Sequence, residues 1–506
     1  MTGDTSRDAI RNRASELTAM AAVWLVGGRL LARGLDLISL LILARLLGPA
    51  EFGTIAVAMV LILVIEALLE MPTAGALIRL PEITQSQLDT AFTLGLLRGI
   101  VIAGLLVACS YPYAAFYNDM QLVSLISALG LAPAIRGMIS PSMVIYARAI
   151  DFRREFLLDV LGKAATLAVS VPIAYVMRNY WAIAAGTIAA PCVMAVASYI
   201  LAPYRPRLTL RDWPVFASLL QWNFFGQLLA AVNWQIDRFL LGHFVPRDVL
   251  GRFSVSNDLS SLPQQALITP ILRPLLGGLS VLPDDPARLG QAYNKATAAV
   301  FLVGAPVLIG MASVAEPIVR LALGPKWDEA APLLAVLALS IVVTLFVAPF
   351  NALAFRLGKF HISVLQIFLE FIVRVPAMIF AVYYYGLFGV LVARVVCGFY
   401  ATGIAIFLVR HMIGLGVSAQ LLAPWRPLLA AGAMGLLVNQ AVPHLTGLDS
   451  TLLLALGSAA TVGAGAAFYA AMVTLLWLLS GRPDGAEKII FGKLTSGLAL
   501  FRRRFA

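Results

Sequence analysis

Runs of about twenty or more mostly apolar residues, set apart by Gly, Pro and charged breaks, recur along the whole chain, and that length is what a helix needs to cross a bilayer. They fall near residues 19–44, 53–79, 89–114, 121–146, 156–177, 180–203, 214–243, 249–279, 291–314, 330–355, 361–384, 386–409, 424–443 and 450–480. The pattern predicts an all-α polytopic membrane protein of about 14 transmembrane helices, with breaks too short to hold a soluble domain. In the first run, Arg29, Arg33 and Asp36 interrupt a sequence that is otherwise Leu- and Ile-rich. At 100° per residue these three side chains share an arc of roughly 60°. A charge at mid-membrane depth costs from about 2.5 kcal/mol upward, so such a stripe faces a wet cavity or a partner. The run closes on Leu43 to Gly53 (LARLLGPAEFG), where Gly48-Pro49 breaks the helix and a second apolar run begins.

Two short stretches occur twice. Gly48-Pro49-Ala50-Glu51-Phe52-Gly53 is echoed by Val245-Pro246-Arg247-Asp248-Val249-Leu250-Gly251, and Pro112 to Asp119 (PYAAFYND) by Pro317 to Gly324 (PIVRLALG). The offsets, about 198 to 205 residues, correspond to six spans. An even number preserves orientation, so the halves read as parallel repeats about an axis normal to the membrane, with the site between them. The expected organisation is an N-terminal segment (1–18), a six-helix bundle (19–204), a linker (205–212) and a second six-helix bundle (213–410). Two additional spans (411–480) and a basic tail (481–506) complete it.

Composition agrees: 60% of residues are apolar, 12% are charged, and the mean hydropathy is +0.89, whereas soluble domains carry about 25% charged residues. The polar first 16 residues do not have the layout of a cleaved signal peptide. The net charge of +11 does not point to nucleic acid, because Lys and Arg concentrate in alternate connections. One side carries Arg7, Arg11, Arg13, Arg79, Arg148, Arg153, Arg154, Arg205, Arg207, Arg211, Arg356, Lys359 and the tail arginines. That bias places both termini in the cytoplasm of a bacterial inner-membrane protein. The tail from Ala486 to Phe505 reads as a basic interfacial helix, whose removal should leave insertion intact. Cys109, Cys192 and Cys397 lie far apart in apolar runs and read as buried spectators, not as a disulfide or metal set. The four His residues sit at span ends and read as interfacial.

Leu43 to Gly53, Leu88 to Phe92 (LDTAF), Pro112 to Asp119, Ile150 to Arg154 (IDFRR) and Asn233 to Arg238 with Leu241-Gly242 together resemble the Wzx-type oligosaccharide flippases of the polysaccharide-export group. The likeness covers roughly residues 20–410 and is strongest in the first 160. Val245-Pro246 after the seventh span and Met71-Pro72 in the second depart from the pattern. The resemblance implies the fold shared by multidrug-and-toxin extruders and lipid-linked peptidoglycan-precursor flippases: two bundles in a V, working by alternating access. It implies as cargo a glycan on a polyprenyl pyrophosphate, moved to the outer leaflet for lipopolysaccharide or exopolysaccharide synthesis. The implied partners are that lipid-linked glycan, membrane lipids, a glycan polymerase and a chain-length regulator, around a monomeric transporter.

The residues within the spans suit such a cargo. A diphosphate calls for arginine, whose planar fork binds phosphate oxygens bidentately; sugar rings call for acids, amides and aromatics. Arg29, Arg33 and Asp36 lie on span one, with Glu66 and Glu70 on span two. Asn223, Gln227, Trp234 and Asp237 are expected on one face of span seven. Asn257 and Gln264 share a face of span eight, with Asp258 beside the first, and Gln366, Glu370 and Arg374 stack on span eleven. The bland reading makes Arg33–Asp36 and Glu370–Arg374 helix-locking pairs, and Arg98 and Arg394 structural. Glu66 and Glu70 either answer those arginines or relay a proton or sodium ion from a gradient. The Gly95-x-x-x-Gly99 spacing suggests close helix packing. No cofactor is expected: Gly162-Lys163 lacks the earlier glycine of a P-loop. The second reading is a peptidoglycan-precursor or small-molecule exporter on the same fold. A polytopic polymerase or glycosyltransferase is disfavoured by outer connections of only about a dozen residues.

Overall fold

The structure is a computed structural model that describes residues 27–28, 31–220, 224–268, 270, 283, 285–446, 450–483 and 487. Segment 1–18, Arg29, Asn223 and nearly all of the interfacial tail lie outside the described residues. Among the described residues every regular element is a helix. Eight helical stretches are long and apolar enough to cross a membrane: Pro49–Arg79, Gln85–Phe116, Arg153–Met177, Trp181–Leu201, Pro286–Ser313, Ala330–Arg356, Phe360–Ile413 and Thr451–Leu479. The protein is an all-α polytopic membrane protein. Phe360–Ile413 contains two of the expected spans, and their break falls at Gly386, whose φ of 57° suits glycine. Phe224–Phe244, Arg247–Pro263 and Trp425–Thr446 are helical but outside that group.

The chain divides into two compact units, 1–251 and 252–506. The first contains α1 (31–46), α2 (Pro49–Leu68), α3 (Thr73–Arg79), α4 (Gln85–Phe116), α5 (Gln121–Leu129), α6 (Leu131–Arg136), α7 (Met143–Arg148), α8 (Arg153–Met177), α9 (Trp181–Leu201), α10 (Trp213–Leu220) and α11 (Phe224–Phe244). It ends within α12 (Arg247–Pro263). The α1–α2 turn explains its sequence. Pro49 opens α2, where its missing N–H costs nothing, and Glu51 accepts the Gly48 N–H at 2.9 Å. Met71-Pro72 ends the long second run, separating α2 from α3. Thr84 and Gln87 form a reciprocal cap on α4. Gly95 and Gly99 do mark close packing: a β-carbon at Gly99 would lie 2.7 Å from the Pro133 carbonyl oxygen, and one at Gly137 would lie 2.3 Å from that of Gly95.

Both repeated stretches adopt corresponding structures. A β-carbon at Gly53 would lie 1.8 Å from the carbonyl oxygen of Arg247; one at Gly251 would lie 1.8 Å from that of Pro49. Each glycine is four residues into its helix and meets the first residue of the other helix, so the starts of α2 and α12 cross reciprocally, backbone on backbone. In the second echo, Asp119 N–H donates to the Ala114 carbonyl at 3.0 Å and Gly324 N–H to that of Val319 at 3.2 Å. These helix-ending bonds match residue for residue across the repeat.

The second unit is built around Pro286–Ser313, capped by Asp285 at the Ala287 N–H. Its fully buried Trp327, Tyr293, Phe301 and Phe350 anchor the core. The last two spans dock on that helix, and Tyr469 donates to the Leu302 carbonyl at 2.8 Å. Glu487 is 2% exposed and pairs with Arg426 at 3.2 Å, so this residue packs against the body of the unit. Removing one partner of a buried pair costs about 3–5 kcal/mol. Glu487→Gln should therefore lower the melting temperature, and Arg426→Met with Glu487→Leu should recover most of the loss; a melting curve unchanged in Glu487→Gln would show the pair to be idle. The three cysteines form no disulfide but differ in setting: Cys397 is buried, Cys109 half-buried and Cys192 exposed, contrary to the expectation that all are buried.

Candidate functional site

The charged stripe of span one meets a second cation. α1 and α8 pack so closely that a β-carbon at Gly28 would lie 2.7 Å from the Phe156 ring. This brings Lys163 to Asp36, Nζ to Oδ1 2.6 Å, while Arg33 Nη1 stands 3.6 Å from Asp36 Oδ2. The Arg33 and Lys163 side chains remain 48% and 40% exposed. One carboxylate is thus shared by two cations, and the shorter contact goes to the lysine. Arg33 keeps most of its five donors for another partner, and these three side chains together carry one positive charge. The sequence signal for Lys163 was a lysine ten residues into α8, about 15 Å along the axis and one turn after Asp159.

The acids of span two do something else. Glu66 Oε1 accepts from Arg136 Nη1 at 2.9 Å. Where Met71-Pro72 ends α2, the last carbonyls lack helical partners. Arg98 supplies them, with Nε to the Leu69 oxygen at 2.6 Å and Nη2 to that of Glu66 at 3.2 Å. A cavity of about 530 Å³ beside this cluster is lined by Arg98, Arg136, Phe92, Leu77 and Glu155. Its ionisable lining is Arg98, Arg136 and Glu155, and Arg136 is already taken up by Glu66. Glu66 answers the arginines; Glu70 is exposed.

Span seven does not present one polar face. Trp234 is 57% exposed, but Asp237 is 2% exposed and Asn233 and Gln235 are also buried, with Gln227 half-buried. α11 packs along α2, and Ile236, Asp237 and Leu240 are buried while Trp234 is not. On span eight, in the second unit, Asn257 is buried, Asp258 exposed and Gln264 half-buried at the start of a π-helical turn. On span eleven, Glu370 accepts from Gln366 and from Arg374, both at 3.1 Å, one on each carboxylate oxygen. Among the described residues the structure thus joins Arg33 with Asp36, and Gln366 with Glu370 and Arg374.

A further junction unites residues that the sequence marked only as an echo. Tyr117 donates to the Phe239 carbonyl at 2.8 Å and Tyr113 to that of Val57 at 2.9 Å. Arg247 pairs with Asp119 at 3.3 Å, donates to the Gly242 carbonyl at 3.0 Å and lies 5.4 Å over the Tyr117 ring. Phe116 stacks on Phe239 and on His243. The end of α4 is thereby tied to the end of α11 beside the crossing of α2 and α12.

Comparison with known proteins follows the same lines. A family model described as polysaccharide biosynthesis protein matches residues 42–332. The lipopolysaccharide biosynthesis protein WzxC of Escherichia coli (strain K12) is 23% identical over 422 residues, covering 81% of this chain and 85% of its own. The succinoglycan biosynthesis transport protein ExoT of Rhizobium meliloti (strain 1021) is 23% identical, covering 61% of this chain and 63% of its own. Among solved structures, the lipid II flippase MurJ in an inward closed conformation superposes with a TM-score of 0.71 at 13% identity. It covers 92% of this chain and 100% of its own, which establishes the shared fold.

Proposed function

The chain belongs to the polysaccharide biosynthesis protein family, since the match spans more than half of it, and from that premise we propose that it is a flippase for oligosaccharides carried on a polyprenyl pyrophosphate. The observation that carries the reading is the wall formed by Arg33, Asp36 and Lys163. Two half-exposed cations share one carboxylate within membrane-spanning helices. Low-dielectric surroundings focus such a charge, so an anionic headgroup is drawn to it, and an arginine fork can grip two phosphate oxygens at once. Arg29, one helical turn before Arg33, would extend the same stripe.

In this reading the chain sits in the bacterial inner membrane with both termini cytoplasmic, an orientation supported by the distribution of basic loops. Cargo enters from the cytoplasmic leaflet, and alternating access between the two repeat halves carries it across. Trp234, exposed on α11, suits stacking against a sugar ring. No step makes or breaks a covalent bond, so the protein is a transporter and not an enzyme. A glycan polymerase and a chain-length regulator would act on the delivered units.

Deletion of the gene should leave lipid-linked repeat units intact but confined to the cytoplasmic leaflet, and a plasmid copy should restore surface polymer. Repeat units that reach the outer leaflet at normal levels in the deletion strain would refute the assignment.

A further inference from the structure

The segment joining α9 to α10, residues 202–212, is strapped to the start of α4. Tyr204 donates to Asp89 Oδ1 at 2.7 Å, the Thr209 N–H to Thr93 Oγ1 at 3.0 Å and the Asp212 N–H to Thr90 Oγ1 at 3.3 Å. The Tyr204 ring also packs on Phe92, 5.7 Å between centroids. Burial and the neighbouring Asp89 carboxylate raise the Tyr204 pKa, which keeps the hydroxyl a donor. Residues of the LDTAF stretch thus serve as an anchor for this strap.

The outward side of the strap is unlike the rest of this end of the unit. Arg148 donates to the Pro81 carbonyl, and Arg154 to that of Leu201 while covering the Tyr146 ring, so both are committed to holding loops and helix ends together. Arg205, Arg207 and Arg211 instead point outward and are exposed. Between and beside them, Leu208 is 72% exposed, Leu210 49% and Trp213 39%. Three cations interleaved with bare apolar side chains, on a backbone held by fixed hydrogen bonds, match a surface that is anionic at the headgroups and apolar just beneath.

We propose that the 203–213 strap is a docking surface for anionic glycerophospholipid of the adjoining leaflet, with Arg205, Arg207 and Arg211 on the phosphates and Leu208, Leu210 and Trp213 at the acyl boundary. Only the identification of that leaflet as cytoplasmic rests on the function proposed above; the lipid contact does not. The pinned backbone spares the ordering cost that a loose basic loop would meet on binding. Phosphate contacts would also draw the strap, and with it the start of α4, onto the membrane surface.

The test uses the full chain, with Cys109, Cys192 and Cys397 replaced, a fluorophore on Leu208→Cys, and nanodiscs containing lipids spin-labelled near the headgroup. Quenching by spin-labelled phosphatidylglycerol should exceed that by spin-labelled phosphatidylcholine at least threefold. With Arg205, Arg207 and Arg211 all changed to Gln, it should fall to the phosphatidylcholine level. All three are exposed, so the variant should fold, which its melting curve checks independently. Quenching by neither lipid would place the strap in water and overturn the proposal. Phosphatidylglycerol quenching that survives the triple change would overturn it too. Neither result depends on glycan export.

Discussion

Changing Arg33 and Lys163 together to alanine should abolish export of the surface glycan while the protein is still made and inserted. The expectation follows from the charge count at Asp36. Lys163 holds that carboxylate at 2.6 Å and Arg33 stands at 3.6 Å, so these three side chains leave one positive charge to spare. Arg33→Ala removes the spare charge. Lys163→Ala hands Asp36 to Arg33 and removes it equally. The double change leaves a lone acid, which repels a diphosphate. A hydrogen bond to a charged group contributes about 1.5–3 kcal/mol, so each single change should cost roughly ten- to a hundredfold in transport rate. Arg33→Lys should recover only part, since a point charge replaces a planar fork. Complementation of a flippase-deficient strain, with protein quantified on a blot, gives the ranking. Normal export by the double variant would make the cluster a helix lock, the bland alternative for a pair at this spacing.

Valine at Gly53 or Gly251 should cost most of the folded protein. At both positions the first added carbon would sit 1.8 Å from a main-chain carbonyl oxygen, and no rotamer change can move that atom away. Overpacking a tight contact typically costs about 1–3 kcal/mol, and more where backbone must shift. Here the starts of α2 and α12 would have to part, dragging Arg247 away from Asp119 and Gly242. Gly104 is the control, because nothing lies within 4 Å of a β-carbon built there. Size-exclusion yield and melting temperature should drop sharply for Gly53→Val and Gly251→Val and stay level for Gly104→Val. Wild-type behaviour at either junction glycine would mean the crossing is looser than drawn. Because the two glycines occupy corresponding places in the repeat, their effects should be similar in size.

What the sequence made legible was mostly local. The Gly-Pro break, the capped start of α4, the split at Gly386 and the Glu370–Arg374 spacing are written in neighbouring residues. Their structural form follows from propensity and helical periodicity. The repeated stretches were visible as echoes, but their reciprocal contact was not, because it depends on how two distant helices cross. Lys163 was hidden for the same reason: it meets Asp36 only when α1 packs on α8. Arg98 might have been found by asking where the carbonyls orphaned by Met71-Pro72 go, a question the sequence poses but cannot answer. Trp234 and Asp237 show the limit of a helical wheel. It places them one turn apart on one side, whereas packing with the neighbouring helices leaves one covered and the other bare.

The most direct test of the central claim is a translocation assay in proteoliposomes. The purified full chain is reconstituted with a fluorescent oligosaccharide on polyprenyl pyrophosphate, and an impermeant glycosidase reports the fraction in the outer leaflet. After the outer pool is trimmed, wild-type protein should bring the protected pool out to the enzyme, and the Arg33→Ala, Lys163→Ala double variant should leave it protected as protein-free vesicles do. A folded wild-type protein that leaves the pool protected, or a double variant that empties it at the wild-type rate, would contradict the account.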